Sequence, residues 1–151
     1  MTTRAAWASV GAWVWGTLRL VVVGLFAYQG VRWAGRGLPD VAVPWEGCVQ
    51  QAAVNALVVV VWTLIATRFA KDSRWAGPRW RENPLCVVNP VLFFHLLGQS
   101  LVAFGAAYLA DIAFTDRAGG SALGAAAIAS GAGLLGGVYL ALRSFRRKFR
   151  E

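Results

Sequence analysis

The sequence has few of the residues on which catalytic and metal sites depend. It contains one histidine, two cysteines and seven acidic residues in 151 positions, and only 15% of its residues are charged. A single histidine cannot form a bis-histidine haem site within one chain, and the sequence carries no nucleophile motif, phosphate-binding loop or metal-ligand cluster. We therefore expect a protein that is not an enzyme and that binds neither a cofactor nor a metal.

Apolar residues, in contrast, are abundant and make up 58% of the chain. Soluble domains average about 45–50% apolar and about 25% charged residues, so this composition is typical of a chain solvated by lipid. A helix needs about 20 apolar residues to cross a bilayer. The pattern predicts an all-α polytopic membrane protein with a single domain of four transmembrane helices. The predicted spans are residues 15–33, 48–68, 90–113 and 121–142, with a basic tail at 143–151.

Local signals refine the boundaries of these spans. Residues 1–14 either continue the first helix or lie flat at the membrane interface. Glycines and prolines predict an irregular loop at 34–47. The β-branched run 58–61 would favour a strand in water, but a backbone in hydrocarbon must satisfy its own hydrogen bonds, so we predict a helix. Asn89 and Pro90 suit a helix cap and a first turn, and they predict the start of the third span.

The basic residues are distributed unevenly between the two ends of the predicted spans. Eleven of them lie in the N-terminal segment, the loop between the second and third spans, and the tail, whereas the other two loops contain only Arg32, Arg36 and Arg117. Because basic loops stay in the cytosol, both termini and the middle loop are predicted to be cytosolic. The net charge of +8 is therefore assigned to contacts with anionic lipid, and we expect no nucleic-acid partner.

The two cysteines fall at different ends of the predicted spans. Cys48 begins the second span and Cys86 precedes the third, so the predicted topology places them on opposite membrane faces. A disulfide requires its two Cα atoms to lie within about 7 Å of each other. Both thiols are therefore predicted to be free.

Five of the polar residues within the predicted spans are candidates for a functional role, because polar groups in hydrocarbon are costly and often functional. They are Arg19, Gln29, Asn55, His95 and Gln99. Arg19 lies one turn inside Trp15, so its side chain either extends to the headgroups or pairs with a carboxylate or carbonyl of a partner helix. His95 and Gln99 share one helix face. Gln29 of the first span and Asn55 of the second are positioned to meet them in the bundle through interhelical hydrogen bonds. Asp111, near the outer end of the third span, is expected to contact water.

The fourth span carries small residues at the spacing that allows two helix backbones to approach closely. The residues of this predicted groove are Gly120, Gly124, Ala125, Ala129, Gly133 and Gly137. Its occupant is either another span of the same chain or a helix of an external partner. The tail beyond this span is predicted to contact anionic headgroups, at about 1 kcal/mol per basic residue. Its basic residues are Arg143, Arg146, Arg147, Lys148 and Arg150.

Several short segments resemble a family of four-span alphaherpesvirus membrane proteins that partner envelope glycoprotein K. They are Leu18-Arg-Leu-Val-Val-Val-Gly24, Trp62, Asn89-Pro-Val91, Gly98-Gln-Ser-Leu-Val-Ala-Phe104 and Ala122-Leu-Gly-Ala125. They occur in the order seen in the family and cover about half of the chain. The resemblance implies a role in virion egress, envelopment and cell fusion, with a glycoprotein K-like multispan partner. It also implies a location in host Golgi, endosomal, nuclear and plasma membranes and in the virion envelope.

Two other functional hypotheses remain beside binding and escort of a multispan partner. One is a small homo-oligomeric transporter or channel, in which the five intramembrane polar residues line a single wet cavity. The other is an accessory subunit of a bacterial or organellar membrane complex. A multispan partner recovered in mild detergent distinguishes the binding protein from a transporter, which yields self-oligomers and ion or solute flux.

Overall fold

The computed structural model describes residues 3–39, 41–72, 90–115 and 120–148, with side chains described for 10–39, 41–65, 91–115 and 120–144. These residues form four α-helices: α1 (Thr3–Ala34), α2 (Trp45–Asp72), α3 (Pro90–Thr115) and α4 (Ala122–Lys148). Each helix contains a segment long and apolar enough to cross a membrane, at Val10–Ala34, Trp45–Ile65, Val91–Thr115 and Ala122–Ser144. The predicted all-helical architecture with four candidate spans is confirmed.

The helices are longer than the predicted spans at several of their ends. α1 begins at Thr3, so the segment before the first span continues the helix instead of lying flat beside it. α4 continues to Lys148 and therefore includes most of the predicted tail. α3 begins at Pro90, as predicted, and the β-branched run 58–61 is helical. α1 and α4 therefore continue as hydrogen-bonded helix past the ends of their apolar segments.

The order of packing in the bundle differs from the order along the chain. α3 packs between α1 and α4, and α2 packs mainly on the other side of α4. Gly98 lies against Gly131 and Gly105 against Gly124, so α3 and α4 are antiparallel. Ala52 lies against Gly133 and Ala56 against Gly137, so α2 and α4 are parallel. The Gly120 N–H, just before α4, donates to the Leu38 carbonyl oxygen, just after α1, so α1 ends where α4 begins. α1 therefore begins and α4 ends at the same end of the bundle, which we call the basic end.

The buried core is small and lies where α2, α3 and α4 meet. Val59, Leu134 and Val138 form it, and the partly buried side chains packed around them are Val91, Phe94, Leu97, Leu101 and Leu142. Large apolar side chains such as Trp13, Leu20 and Trp62 point outward instead. A soluble monomer rarely exposes extensive contiguous apolar surface, whereas lipid solvates such side chains without cost. This distribution supports a multi-pass membrane protein.

The connection between α1 and α2 is irregular, as its glycines and prolines predicted. Gly37 adopts a φ of +62°, a left-handed conformation that glycine tolerates without a steric penalty. Arg36 places its guanidinium 4.3 Å from the ring centre of Trp33, a cation–π contact next to the end of α1. Cys48, in the first turns of α2, is buried and free. Cys86 lies outside the described residues.

Candidate functional site

One side of α4 is occupied by α2 through the predicted groove glycines. Gly133 lies against the backbone of Ala52, and a methyl group added at Gly137 would come within 2.7 Å of the Ala56 carbonyl oxygen. Such contacts are possible only because neither glycine has a side chain. The part of the predicted groove formed by these two glycines is therefore filled by a span of this chain.

A second side of α4 packs against α3 through two reciprocal pairs of glycines. A methyl group at Gly105 would lie 2.5 Å from the Gly124 carbonyl oxygen, and one at Gly131 would lie 2.6 Å from the Gly98 carbonyl oxygen. The two glycines on each helix are seven residues apart, which places them on one face two turns apart. Sequence reasoning identified only Gly124 of these four, although the matching interval of seven on α3 and α4 was a usable signal.

Gly120, another predicted groove residue, has a different position from the others. It lies just before α4, where its carbonyl oxygen accepts a buried hydrogen bond of 2.9 Å from the Tyr108 hydroxyl. Its N–H donates to the Leu38 carbonyl oxygen at 3.2 Å. Gly120 therefore links the loop after α1 to α3 at the end of the bundle opposite the basic end, and it forms no part of a helix groove.

The third side of α4 is left open by the other helices. Ala125 and Ala129, both predicted groove residues, are half-buried, and Ala132 is exposed. A methyl group added at Gly136 would meet no atom within 4 Å. Successive intervals of four, three and four residues place Ala125, Ala129, Ala132 and Gly136 on one face of the helix. We call these four residues the open stripe.

The structure does not bring the five intramembrane polar residues together, because α1 packs on α3 while α2 packs on α4. Asn55 donates its amide N–H to the Ser130 carbonyl oxygen of α4 at 3.2 Å and accepts a hydrogen bond of 2.9 Å from Gln51. Gln29 is exposed on α1, and Gln99 is half-buried on α3. Asn55 thus bonds within α2 and to α4, and Gln29 is exposed, so the hydrogen bonds of the described residues do not link these two side chains to His95 and Gln99.

Arg19 of α1 and His95 of α3 lie at the same level of two neighbouring helices, in the half of the bundle nearer the basic end. Gly30 of α1 lies against Phe104 and Tyr108 of α3. Because parallel α-helices rise equally per residue, Arg19, eleven residues earlier, is level with the turn of α3 that contains His95. Both side chains are half-buried.

The remaining predicted polar positions lie near the ends of the helices. Asp111 is half-buried, and its carbonyl oxygen accepts a hydrogen bond from the Thr115 hydroxyl. Arg143 is exposed at the basic end of α4, as lipid contact requires. Arg146, Arg147 and Lys148 belong to α4, but their side chains lie outside the described residues, as does all of Arg150.

No protein-family model, curated protein or solved structure matches the chain. The candidate site therefore consists of the open stripe on α4 and the Arg19–His95 group between α1 and α3, and its function is argued from these residues.

Proposed function

We propose that the protein is a non-catalytic, four-span membrane protein that binds another multispan membrane protein side by side in the bilayer and escorts it. The open stripe is the observation that carries this proposal. Small residues on the other two sides of α4 are covered by α2 and α3, whereas Gly136 has nothing against it. Lipid chains provide little drive for helices to associate, so close backbone packing at small residues is a principal source of affinity between them.

The sequence resemblance supplies the proposed partner and process. The partner is a glycoprotein K-like multispan protein, and the process is virion egress, envelopment and membrane fusion in host membranes. The basic residues at the end of α4 support this role by holding the helix against anionic headgroups. Asn55 bonds to Ser130 in the contact between α2 and α4, whereas Arg19 lies on α1, which packs on α3. This division of the described polar residues between two helix contacts disfavours a single transport path through one chain.

The proposal is tested by enlarging the open stripe and recovering the protein with its partners in mild detergent. We expect the wild-type chain to co-purify with a stoichiometric multispan protein, and Ala132→Leu or Gly136→Leu to lose it. The added side chains would hold the two backbones apart, and at Gly136 the first added carbon would meet no atom of the described residues within 4 Å. Quantitative mass spectrometry of the purified complex measures the ratio of partner to protein.

Gly24→Leu is the matched control for these variants. Gly24 is exposed on α1, and a methyl group there also meets nothing within 4 Å, so this variant adds the same bulk to a different lipid-facing helix. We expect it to retain the partner. Recovery of self-oligomers alone, or ion or solute flux through liposomes containing the purified chain, would contradict the proposal and favour the transporter.

A further inference from the structure

Arg19 carries a charge deep within a membrane-length segment. It is nine residues from Val10, where the segment of α1 begins, which corresponds to about 14 Å along the helix axis. Arg19 lies eleven residues from Gly30, on the same face of α1, and faces α3.

Arg19 has no counter-charge among the side chains that the structure describes. The acidic residues in that part of the chain are Glu46 and Asp111, near the start of α2 and the end of α3, and both ends lie opposite the basic end. His95, its neighbour on α3, is a second nitrogen donor and supplies no negative charge.

We propose that Arg19 pairs with the carboxylate of an aspartate or glutamate in a transmembrane helix of the bound partner, with His95 as a second hydrogen-bond donor. This inference rests on the proposed function and names the chemistry of the partner. An arginine in hydrocarbon is stabilised when it pairs with a carboxylate, because both charges then leave water together and arginine can donate two hydrogen bonds.

The depth of Arg19 matches the depth of the open stripe. Gly98 of α3 lies against Gly131 of α4, so the turn of α3 that contains His95 is level with Ala132 and Gly136. A partner helix packed on this part of the open stripe would therefore meet the bundle at the level of Arg19, where the described side chains supply no counter-charge. A lipid phosphate lies at the membrane surface and is farther from this position than a carboxylate carried on such a helix.

The test uses synthetic transmembrane peptides as the probe, since the partner itself is not required. Three peptides of alternating leucine and alanine carry glutamate, glutamine or leucine at the central position, and their binding to the purified full-length chain in neutral-lipid nanodiscs is measured by fluorescence energy transfer. We expect the wild-type chain to bind the glutamate peptide about ten times more tightly than the glutamine peptide, because hydrogen bonds to a charged carboxylate are stronger than those to a neutral amide.

Variants of the protein assign this preference to one side chain. Arg19→Gln should bind the glutamate and glutamine peptides equally, and Arg19→Lys should retain part of the preference. Arg32→Gln, which removes the same charge from an exposed position at the other end of α1, should keep it in full. Equal binding of both peptides by the wild-type chain, or an unchanged preference in Arg19→Gln, would overturn the inference.

Two further outcomes separate this inference from the proposed function. If Ala132→Leu loses the natural partner while Arg19→Gln retains it, the partner proposal stands and the ion pair is wrong. The second outcome concerns lipid binding by the purified protein. If the wild-type chain retains an anionic phospholipid but not inorganic phosphate, and Arg19→Gln loses that lipid, then Arg19 binds a lipid headgroup and the proposed carboxylate pair is wrong. Failure of the proposed function itself would appear as the absence of any stoichiometric partner in the earlier purification.

Discussion

Single glycines determine how closely the helices of this bundle approach. Gly133 and Gly137 allow α2 to contact α4 through its backbone, and Gly98 and Gly131 do the same between α3 and α4. Glycine is unfavourable in a helix interior by up to about 1 kcal/mol relative to alanine. The close contacts between helices offset this local cost, because dispersion and interhelical packing replace the solvent-driven burial that stabilises soluble bundles.

Two adjacent glycines in α4 provide a test of this conclusion. A methyl group at Gly137 would lie 2.7 Å from the Ala56 carbonyl oxygen and 2.8 Å from the Val59 Cβ, whereas one at Gly136 would meet nothing. We expect Gly137→Ala to lower the free energy of unfolding by about 1–3 kcal/mol, because the backbone of α2 must move. Gly136→Ala should leave it unchanged or raise it by less than about 1 kcal/mol.

Equilibrium unfolding in mixed micelles, followed by circular dichroism, measures both variants. Equal stability of the two would show that α2 does not approach α4 at Gly137. Neither substitution changes charge, and their positions differ by one residue. A difference in their free energies of unfolding would therefore arise from the contact of α2 with Gly137, since any general effect of alanine on the helix is the same in both variants.

At the scale of elements, each outer helix is held by one inner helix. α1 packs on α3 and α2 packs mainly on α4, and each pair runs parallel. The α2–α4 contact contains the hydrogen bond from Asn55 to the Ser130 carbonyl oxygen. In hydrocarbon, a polar side chain must find a partner in a neighbouring helix or in its own, so this bond fixes the rotation of α2 about its axis.

Replacing Asn55 tests the contribution of this bond to the α2–α4 contact. Asn55→Leu should lower the free energy of unfolding by about 0.6–2 kcal/mol, the range for interhelical hydrogen bonds in membranes. Gln50→Leu is the control, because Gln50 is exposed on the same helix. Disulfide cross-linking between cysteines placed in α2 and α4 should slow in Asn55→Leu alone. An equal loss of stability in both variants would mean that the bond to Ser130 does not orient α2.

At the scale of the whole molecule, the bundle has one basic end and one end that is nearly balanced in charge. The helix directions place the start of α1 and the end of α4 together, so the orientation of the bundle depends on which end faces the cytosol. The positive-inside rule predicts that the basic end does so. The exposed residues Val41 and Ser144 lie near opposite ends and are suitable reporters.

Labelling of introduced cysteines tests this orientation in intact cells. In a Cys48→Ala, Cys86→Ala background, we expect Val41→Cys to react with a membrane-impermeant maleimide when the protein is at the cell surface. Ser144→Cys should react only after the membrane is permeabilised. The reverse pattern would place the basic end outside the cytosol. Labelling of both positions in intact cells would mean that an even number of crossings separates them, which contradicts the three spans α2, α3 and α4 between them.

The sequence alone determined the properties that depend on composition and on local periodicity. Four helices, the start of α3 at Pro90 and the irregular loop around Gly37 follow from apolar length and backbone preferences, which act within a few residues. The close-packing role of α4 was also visible in its small residues, and Gly133 and Gly137 do lie at a helix contact.

Only the tertiary structure decided which helix meets which. The open stripe was distinguished from the covered glycines by the positions of α2 and α3, and Gln29 was separated from Asn55 because α1 and α2 pack on different helices. A helical period places residues on a common face, but the neighbour of that face is chosen by contacts between segments distant in sequence. Apolar spans satisfy the membrane equally well in many orders, so their arrangement depends on close packing at a few small residues.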